Sequence, residues 1–422
     1  MGSCSECSSE HPKSAAGALP WLHARAVVVA GGGPAGMMLG LLLARAGVRV
    51  AVLEKHADFL RDFRGDTIHP STLEVLHELA ILDAFLQRPH QEVRQLTGRI
   101  AGETVTIADF THLPTHCKFL ALMPQWDFLD FLAEHARRWS GFDLRMQAEV
   151  TSLIEEGGSI GGVRVNTPTG PEEIRADLVV GADGRHSVVR ERAGLQVDRF
   201  GVPMDVLWMR LSRRADDPGQ ALGYVEGGHI LVMLDRGDYW QCAFVIPKGG
   251  FDEIQQRGID AFRATLASIV PFMRDRVGEL SDWSDIKLLT VLVDRLRRWY
   301  RPGLLCIGDA AHAMSPIGGV GINLAIQDAV AAGNALAEPL RRGACSEADL
   351  AKVQRRRELP TRLTQAAQLF AQNRVVSRAL SRGGPQQLPL VLKLLRRFPV
   401  LRRIPARVVG VGVRPEHVMA RT

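Results

Sequence analysis

The sequence predicts a mixed α/β protein: a discontinuous domain of parallel strands and helices, an inserted domain on a mostly antiparallel sheet, and long C-terminal helices. Three observations carry this. The short apolar run Val27–Ala30 passes straight into Gly31-Gly32-Gly33-Pro34-Ala35-Gly36 and then a run of good helix formers, Met37–Ala46. Two further short apolar runs, Leu178–Val180 and Leu304–Ile307, also lead into glycine-containing turns far along the chain. Between those two, residues 200–297 change character to alternating or unbroken apolar strands. The 422 residues allow two or three domains. With 46% apolar and 23% charged residues, a disordered chain, a collagen and a disulfide miniprotein are excluded.

Taken in order, residues 1–21 read as a disordered tail. Arg49–Leu53 is a second strand, which completes a βαβ start, and Pro70–Leu79 a helix. Residues 92–112 suggest short strands. Gln125–Arg138 is a helix, with Phe128, Leu129, Leu132 and Ala136 at helical spacing. Val150–Ile154 and Val163–Thr167 are strands. Val206–Leu211, Ile230–Leu234 and Trp240–Ile246 belong to a separate sheet, and Ile259–Val270 is a helix. Gly321–Leu340 and Ser346–Ala379 are long helices, the second with a bend expected at Pro360. Residues 22–85, 115–195 and 297–380 therefore form the first domain, and 86–114 with 196–296 the insertion. Residues 381–422 are a basic amphipathic extension.

Charge is uneven. Residues 374–422 hold 11 Lys and Arg against one acid, Glu416, while the rest of the chain is slightly acidic. Such a segment suits peripheral contact with an anionic membrane face, or packing on the body with its arginines in solvent. Six dispersed cysteines are no disulfide framework, which fits a cytoplasmic protein. Cys4-x-x-Cys7 lacks a second ligand pair at finger spacing, so no metal is expected. No secretory signal is visible. The uncharged window Ala26–Ala44 reads as strand, turn and helix rather than a membrane span. A zinc HExxH pattern is absent, and no nucleic-acid-binding motif appears.

Gly31-x-Gly33-x-x-Gly36 follows a strand and opens a helix, and Glu54, separated from Gly36 by 17 residues, ends the next strand. That is the Rossmann-like dinucleotide fingerprint. The glycines let backbone N–H groups approach a pyrophosphate at a helix N-terminus, and the acid suits a ribose diol. FAD and NAD both satisfy it. Two later motifs decide between them. Gly181-Ala182-Asp183-Gly184-Arg185 ends a strand, with Asp183 a good helix cap. Gly308-Asp309-Ala310-Ala311-His312 runs on through Ser315-Pro316-Ile317-Gly318-Gly319-Val320-Gly321-Ile322-Asn323 into a helix whose N–H groups can face a flavin's carbonyl edge.

These three motifs, in this order, resemble the FAD-dependent aromatic hydroxylases, the p-hydroxybenzoate and ubiquinone-ring hydroxylase class, over about residues 26–375. The resemblance implies FAD as cofactor and NADH or NADPH as a transient reductant, with no second fingerprint needed. Flavin and O2 would then hydroxylate or epoxidise an aromatic, polyketide or quinone-like molecule through a flavin peroxide. Gly31, Gly33 and Gly36, flanked by Pro34 and Ala35, would cradle the pyrophosphate. Glu54, followed by Lys55, would hold the adenosine ribose. Arg64 would lie near the pyrophosphate and ribityl chain, Gln125 at the ribityl chain, and Val150 at adenine through its backbone. Asp183 and Gly184 would touch FAD and NAD(P)H. Gly308 would allow close approach and Asp309 hold ribityl hydroxyls. Pro316, Gly319, Gly321, Ile322 and Asn323 would line the flavin, with Pro316 beside the oxygen-reactive position. Gln241 stands where p-hydroxybenzoate hydroxylase has an arginine facing the flavin, which argues against a carboxylate-bearing substrate. Tyr224, His229, Tyr239 and Cys242 are further pocket candidates, with packing or exposure the plainer reading of each, and His312 reads as a core histidine. A reductase, a halogenase (without its Trp-x-Trp-x-Ile-Pro signature) and a prenyl-binding inhibitor are the alternatives on this scaffold. A monomer and a homodimer both remain open.

Overall fold

Strands Val27–Ala30, Val50–Leu53, Leu178–Gly181 and Leu304–Cys306 are buried at every residue. Unbroken burial means that both faces of their sheet are covered, as in parallel sheets between helix layers. The computed structural model describes residues 27–60, 67–218, 222–343, 345–380 and 387–419. It orders six strands as Tyr300–Arg301, Leu304–Cys306, Leu178–Gly181, Val27–Ala30, Val50–Leu53 and Phe142–Arg145. Every neighbour is parallel except the Tyr300–Arg301 edge. In register, Ala30 lies beside both Gly181 and Leu53, and Gly181 beside Cys306. Four strands thus end at one level, and their loops emerge on one edge.

Helices Pro34–Arg45 and Gly321–Arg341 pack against each other. Gly333 permits it, since a Cβ there would stand 3.2 Å from the Leu42 Cβ. The first helix starts at Pro34, three residues before the expected Met37, because proline at the first helical position needs no N–H partner. Helix Glu347–Ala371 is assigned without a break at Pro360, where the Thr364 hydroxyl donates to the Pro360 carbonyl at 2.9 Å. Its irregular turn comes later, a π-helical stretch at Gln372–Val376.

A second sheet has seven strands, ordered Lys287–Leu289, Met204–Ser212, Tyr239–Pro247, His229–Asp235, Leu222–Glu226, Gln95–Ile100 and Glu103–Asp109. Only Leu222–Glu226 with Gln95–Ile100 is parallel. Its side chains alternate faces. Leu207, Met209, Leu231, Met233, Cys242 and Phe244 point to one side, where helix Ile259–Ile269 contributes Phe262, Leu266 and Ile269. Val206, Trp208, Val232 and Ala243 point to the other, joined by Leu289 and Val291.

The chain ends on the Gln95–Asp109 hairpin. Leu388 and Leu392 pack with Ile100 and Val105, while Ala406, Val409 and Val411 pack with Ala108, Phe110 and Leu113. Among the described residues no helix is long and apolar enough to cross a membrane.

Candidate cofactor site

The glycine loop occupies the sheet edge where the strands end. Gly31 has φ of +105°, and a Cβ there would stand 2.4 Å from the Ala182 carbonyl oxygen. A Cβ on Gly36 would stand 2.0 Å from the Gly31 carbonyl oxygen. Both are glycine because the protein's own backbone fills the space. Gly33 differs: a Cβ there would meet nothing within 4 Å and would project into open space at the start of helix Pro34–Arg45. That helix has no acidic residue in its first turn, so its unpaired N–H groups and dipole favour an anion. The open cradle fits a pyrophosphate. Glu54 accepts from the Gly32 N–H at 3.0 Å and the His56 N–H at 3.1 Å, so the expected ribose ligand also pins the loop. Lys55 beside it is exposed.

The second and third motifs meet on the same edge. Gly308 has φ of +60°, and a Cβ there would lie 3.0 Å from the Ala35 Cβ and 3.4 Å from the Ala325 Cβ. Arg185 Nε donates to Asp309 Oδ2 at 3.2 Å, which joins the two motifs. The Asp183 carboxylate accepts from the Val189 N–H at 3.1 Å, and burial pushes its carboxyl above the usual range. The helix cap expected at Asp183 is instead Ser187, whose Oγ accepts from the Arg190 N–H at 3.0 Å. The Asp183-Gly184 turn delays the helix by one tight loop, leaving Asp183 to bond the second orphan N–H. Gln125 opens helix Gln125–Ala136, half-buried, and Val150 is buried in strand Glu149–Glu156.

The segment Ser315–Asn323 runs past these motifs. Pro316 is half-buried at its start, Gly318 and Gly319 turn with positive φ, and helix Gly321–Arg341 begins without a capping side chain. Two sets of side chains hold this backbone. On one side Gln368 Nε2 donates to the Ser315 carbonyl at 3.0 Å and the Ile317 carbonyl at 2.8 Å, and its Oε1 accepts from the Ser315 N–H at 3.2 Å. Gln365 Nε2 donates to the Ala313 carbonyl at 3.1 Å, and Gln372 donates to the Ser315 hydroxyl. On the other side Ser71 and Thr72 each donate to Asn323 Oδ1 at 2.8 Å. Buried His69 has Nε2 at 3.0 Å from the Gly319 carbonyl oxygen and Nδ1 at 2.7 Å from that of Val409. A neutral imidazole donates to only one of them, and burial holds this one's pKa below the usual value.

Residues 24–367 match the family described as the FAD binding domain. The chain is 35% identical to a 6-methylpretetramide 4-monooxygenase of Streptomyces rimosus, over 90% of this chain and 91% of that one. The chain belongs to the FAD-dependent aromatic monooxygenases of the p-hydroxybenzoate hydroxylase class. It is 30% identical to a dialkyldecalin synthase of Streptomyces rugosporus, over 74% of this chain and 65% of that one. An aromatic hydroxylase from angucycline biosynthesis, CabE, shares the fold with TM-score 0.71 and 25% identity, covering 92% of this chain and 76% of that one. The protein is thus a flavoprotein monooxygenase with FAD as cofactor, O2 as co-substrate and the NAD(P)H typical of its family as reductant.

Not every expected residue joins this monooxygenase's loop edge. Arg64, Cys4, Cys7 and the 1–21 tail lie outside the described residues. Gln241 sits on the seven-stranded sheet, buried, with Arg236 Nε at 3.2 Å from its Oε1. Tyr224 and Cys242 pack into the core on the helix-covered face, where burial pushes the Cys242 thiol up to about 12. Tyr239 lies under the Arg210 guanidinium, and half-buried His229 tilts against Phe244. His312 is a core histidine, 2.6 Å from Asp328 Oδ2, and Arg357 donates to Oδ1 of the same carboxylate at 3.0 Å. Burial would raise the Asp328 carboxyl, but His312 and Arg357 outweigh it and hold it below the usual range. The glutamine brace was missed. Its trace in the sequence is Gln354, Arg357, Thr361, Gln365, Gln368 and Gln372, a buried polar stripe at steps of three and four.

Proposed function

We propose that this monooxygenase hydroxylates a large, fused-ring aromatic substrate of polyketide type, bound between the Ser315–Asn323 loop and the face of the seven-stranded sheet turned away from helix Ile259–Ile269. The observation that carries this is the composition of that face: half-buried Trp208, Val232 and Leu289 surround buried Val206, Ala243 and Val291 in one apolar cluster. A flat hydrocarbon framework buries area against such a wall, whereas a small carboxylated ring would need a cation there. Two of the proteins reported above are named for 6-methylpretetramide and for angucycline biosynthesis, which supports the same class.

In this reading the six-stranded sheet with its helices forms the cofactor domain and the seven-stranded sheet the substrate domain. The N-terminus of helix Pro34–Arg45 takes the pyrophosphate over Gly33, and Glu54 takes the ribose. Asp309, oriented by Arg185, would take ribityl hydroxyls, and Gln125 would serve the same chain. The uncapped start of helix Gly321–Arg341 leaves N–H groups that would hold a flavin's carbonyl edge, and its dipole would favour negative charge there. Bound FAD, reduced by NAD(P)H, supplies the activation of O2. The protein's task is to fix Pro316 and its neighbours against the ring and to exclude water. Gln241 places a neutral amide where an arginine would select a carboxylate, and Arg236 Nε donates to its Oε1 at 3.2 Å.

The test is to supply NADH or NADPH and isotopically labelled O2 to the purified flavoprotein with a panel of fused-ring phenols and single-ring benzoates. Substrate-stimulated oxidation by the fused-ring set, with one labelled oxygen in the product, is the expected result. Preference for the benzoates would overturn the substrate class. A product isomeric with its substrate would assign a cyclisation instead, and a halogenated or merely reduced product would assign the other chemistries of this scaffold.

A further inference from the structure

Helices Leu390–Arg397 and Arg403–Gly410 carry two apolar faces each. One face is the packed one, set by Leu388, Leu392 and Ala406 on the Gln95–Asp109 hairpin. The other is uncovered. Leu390 is 73% exposed, Val391 67%, Val400 60% and Ile404 62%, with Phe398 and Val408 about half exposed. Helical spacing sets Val391 and Phe398 on one stripe and Ile404 and Val408 on another. Cations fill the gaps between them. Residues 387–419 hold seven Lys and Arg and a single acid, Glu416, which is buried against Arg356 and Arg357. Arg396 pairs with Glu103. Lys393, Arg397, Arg403 and Arg407 have no carboxylate partner among the described residues.

We propose that this surface docks on an anionic lipid bilayer, with the exposed aliphatic and aromatic side chains in the acyl boundary and the four unpaired cations at the headgroups. Charge complementarity selects the partner. Apolar residues alternating with uncompensated cations along two short helices are the composition of an interfacial segment, and a fluid headgroup layer can meet every cation without matched carboxylates. The position adds a consequence. Val409 and Gly410 carry the carbonyls bonded by His69 and Ser71, and those two side chains also bond Gly319 and Asn323. The docked face therefore lies one side chain away from the loop that borders the flavin. A lipid-soluble substrate would reach the site from the bilayer rather than from water. Docking itself stands apart from the substrate reading above.

Vesicle flotation of the full-length, FAD-loaded protein tests it, comparing vesicles of equal parts phosphatidylglycerol and phosphatidylcholine with pure phosphatidylcholine. The protein should float with the anionic vesicles alone and be released by high salt. Arg397→Glu and Arg407→Glu should each weaken binding at least roughly fivefold, the worth of one cation near a charged surface. The quadruple variant L390S/V391S/I404S/V408S should abolish flotation while its flavin spectrum and reductant oxidation stay at wild-type level, which separates docking from misfolding. Failure of the wild type to float on anionic vesicles overturns the proposal. So does a wild-type dimer in sedimentation equilibrium that the quadruple variant dissolves, which would assign the face to a second copy of the chain, and so does saturable binding of a soluble acidic protein with no vesicle binding.

Discussion

The two sides of the flavin loop edge are built by opposite means. At Gly33 the proposed reading makes the backbone itself the cofactor-facing surface, and Gly31 and Gly36 lack side chains because neighbouring backbone fills their space. Around Ser315–Asn323 the same reading again uses backbone, but this backbone has no sheet to support it. Buried amides and hydroxyls from Gln365, Gln368, Gln372, Ser71 and Thr72 hold it in place. A backbone that lies on strand ends needs only space. A backbone that leaves the sheet needs side chains to replace the lost ladder, since buried carbonyls without partners are costly.

The glycine side should break completely under the smallest change. Gly36→Ala places a methyl 2.0 Å from the Gly31 carbonyl oxygen, and Gly31→Ala combines a 2.4 Å clash with a φ of +105°. Either variant should purify without flavin, with the ratio of visible to ultraviolet absorbance near zero, or fail to fold. Gly33→Ala is the sharpening control. It has room, so its fold and melting temperature should hold while FAD affinity falls. A Gly33→Ala protein with wild-type affinity would remove the pyrophosphate from that cradle.

Away from the edge, the seven-stranded sheet carries a buried ion pair beside it. Arg276 donates to both oxygens of Asp217, at 2.6 and 2.8 Å, and Trp240 Nε1 donates at 2.8 Å. The Arg276 hydrogen bonds hold the Asp217 carboxyl far below its usual range, against the opposing effect of burial. A carboxyl depressed on folding stabilises fully above the pH where the unfolded group titrates, about 4, and that contribution is lost as pH falls toward the folded value. Asp217→Asn should therefore cost about 3–5 kcal/mol at neutral pH, because Arg276 loses its buried counter-charge and keeps only half-exposed Asp275 at 3.6 Å. It should also flatten the dependence of stability on pH below about pH 4. Denaturant unfolding followed across that range checks both, and an unchanged slope would mean that other carboxylates set the acid limit.

The brace predicts a different loss. Gln368→Leu keeps the helix and its bulk but leaves the Ser315 and Ile317 carbonyls and the Ser315 N–H unpaired. We expect destabilisation of about 2–4 kcal/mol, retained FAD, and reductant oxidation that yields hydrogen peroxide rather than hydroxylated product. Product yield per reductant consumed is the readout. A variant that is merely less stable, with full coupling, would reduce Gln368 to a packing residue.

The same contrast explains what was legible in the sequence. Glycine order, a proline at a helix start and an acid ending the next strand are local signals of a local backbone shape, so the α/β class, the cofactor and the reaction type followed from the three motifs. The brace is not local. Gln368 lies 53 residues from Ser315 and His69 lies 250 from Gly319, and nothing in a glutamine's neighbours says which carbonyl it will meet. The buried stripe was visible as polar residues at steps of three and four, but only the fold shows that it faces a loop instead of solvent. Pocket assignment stayed open for a related reason. Tyr224 and Cys242 pack into the core, the plainer reading of each, but the two faces of a strand alternate and the sequence does not say which face is which.

The smallest expected effect belongs to the pair that joins the two sides. Arg185 Nε reaches Asp309 Oδ2 at 3.2 Å, with the side chains 27% and 32% exposed. Solvent screens such a pair, so Arg185→Ala should change the melting temperature little, by the equivalent of about 0–1 kcal/mol. Its effect should appear in cofactor binding instead. Asp309 without Arg185 gains rotamers, and a ribityl hydroxyl must then reorder it on binding, which weakens FAD by roughly two- to fivefold. Titration of the apoprotein with FAD measures this directly. Arg185→Lys should recover only part of the loss, because an ammonium lacks the planar fork that fixes a carboxylate's orientation. A loss of a hundredfold or more would mean that Arg185 touches the cofactor itself and is not merely the orienting partner of Asp309. Full affinity in Arg185→Ala would mean that the Gly308–Ala310 turn, packed on Ala35 and Ala325, is enough by itself to aim Asp309, and the side-chain link would then be a consequence of the backbone arrangement.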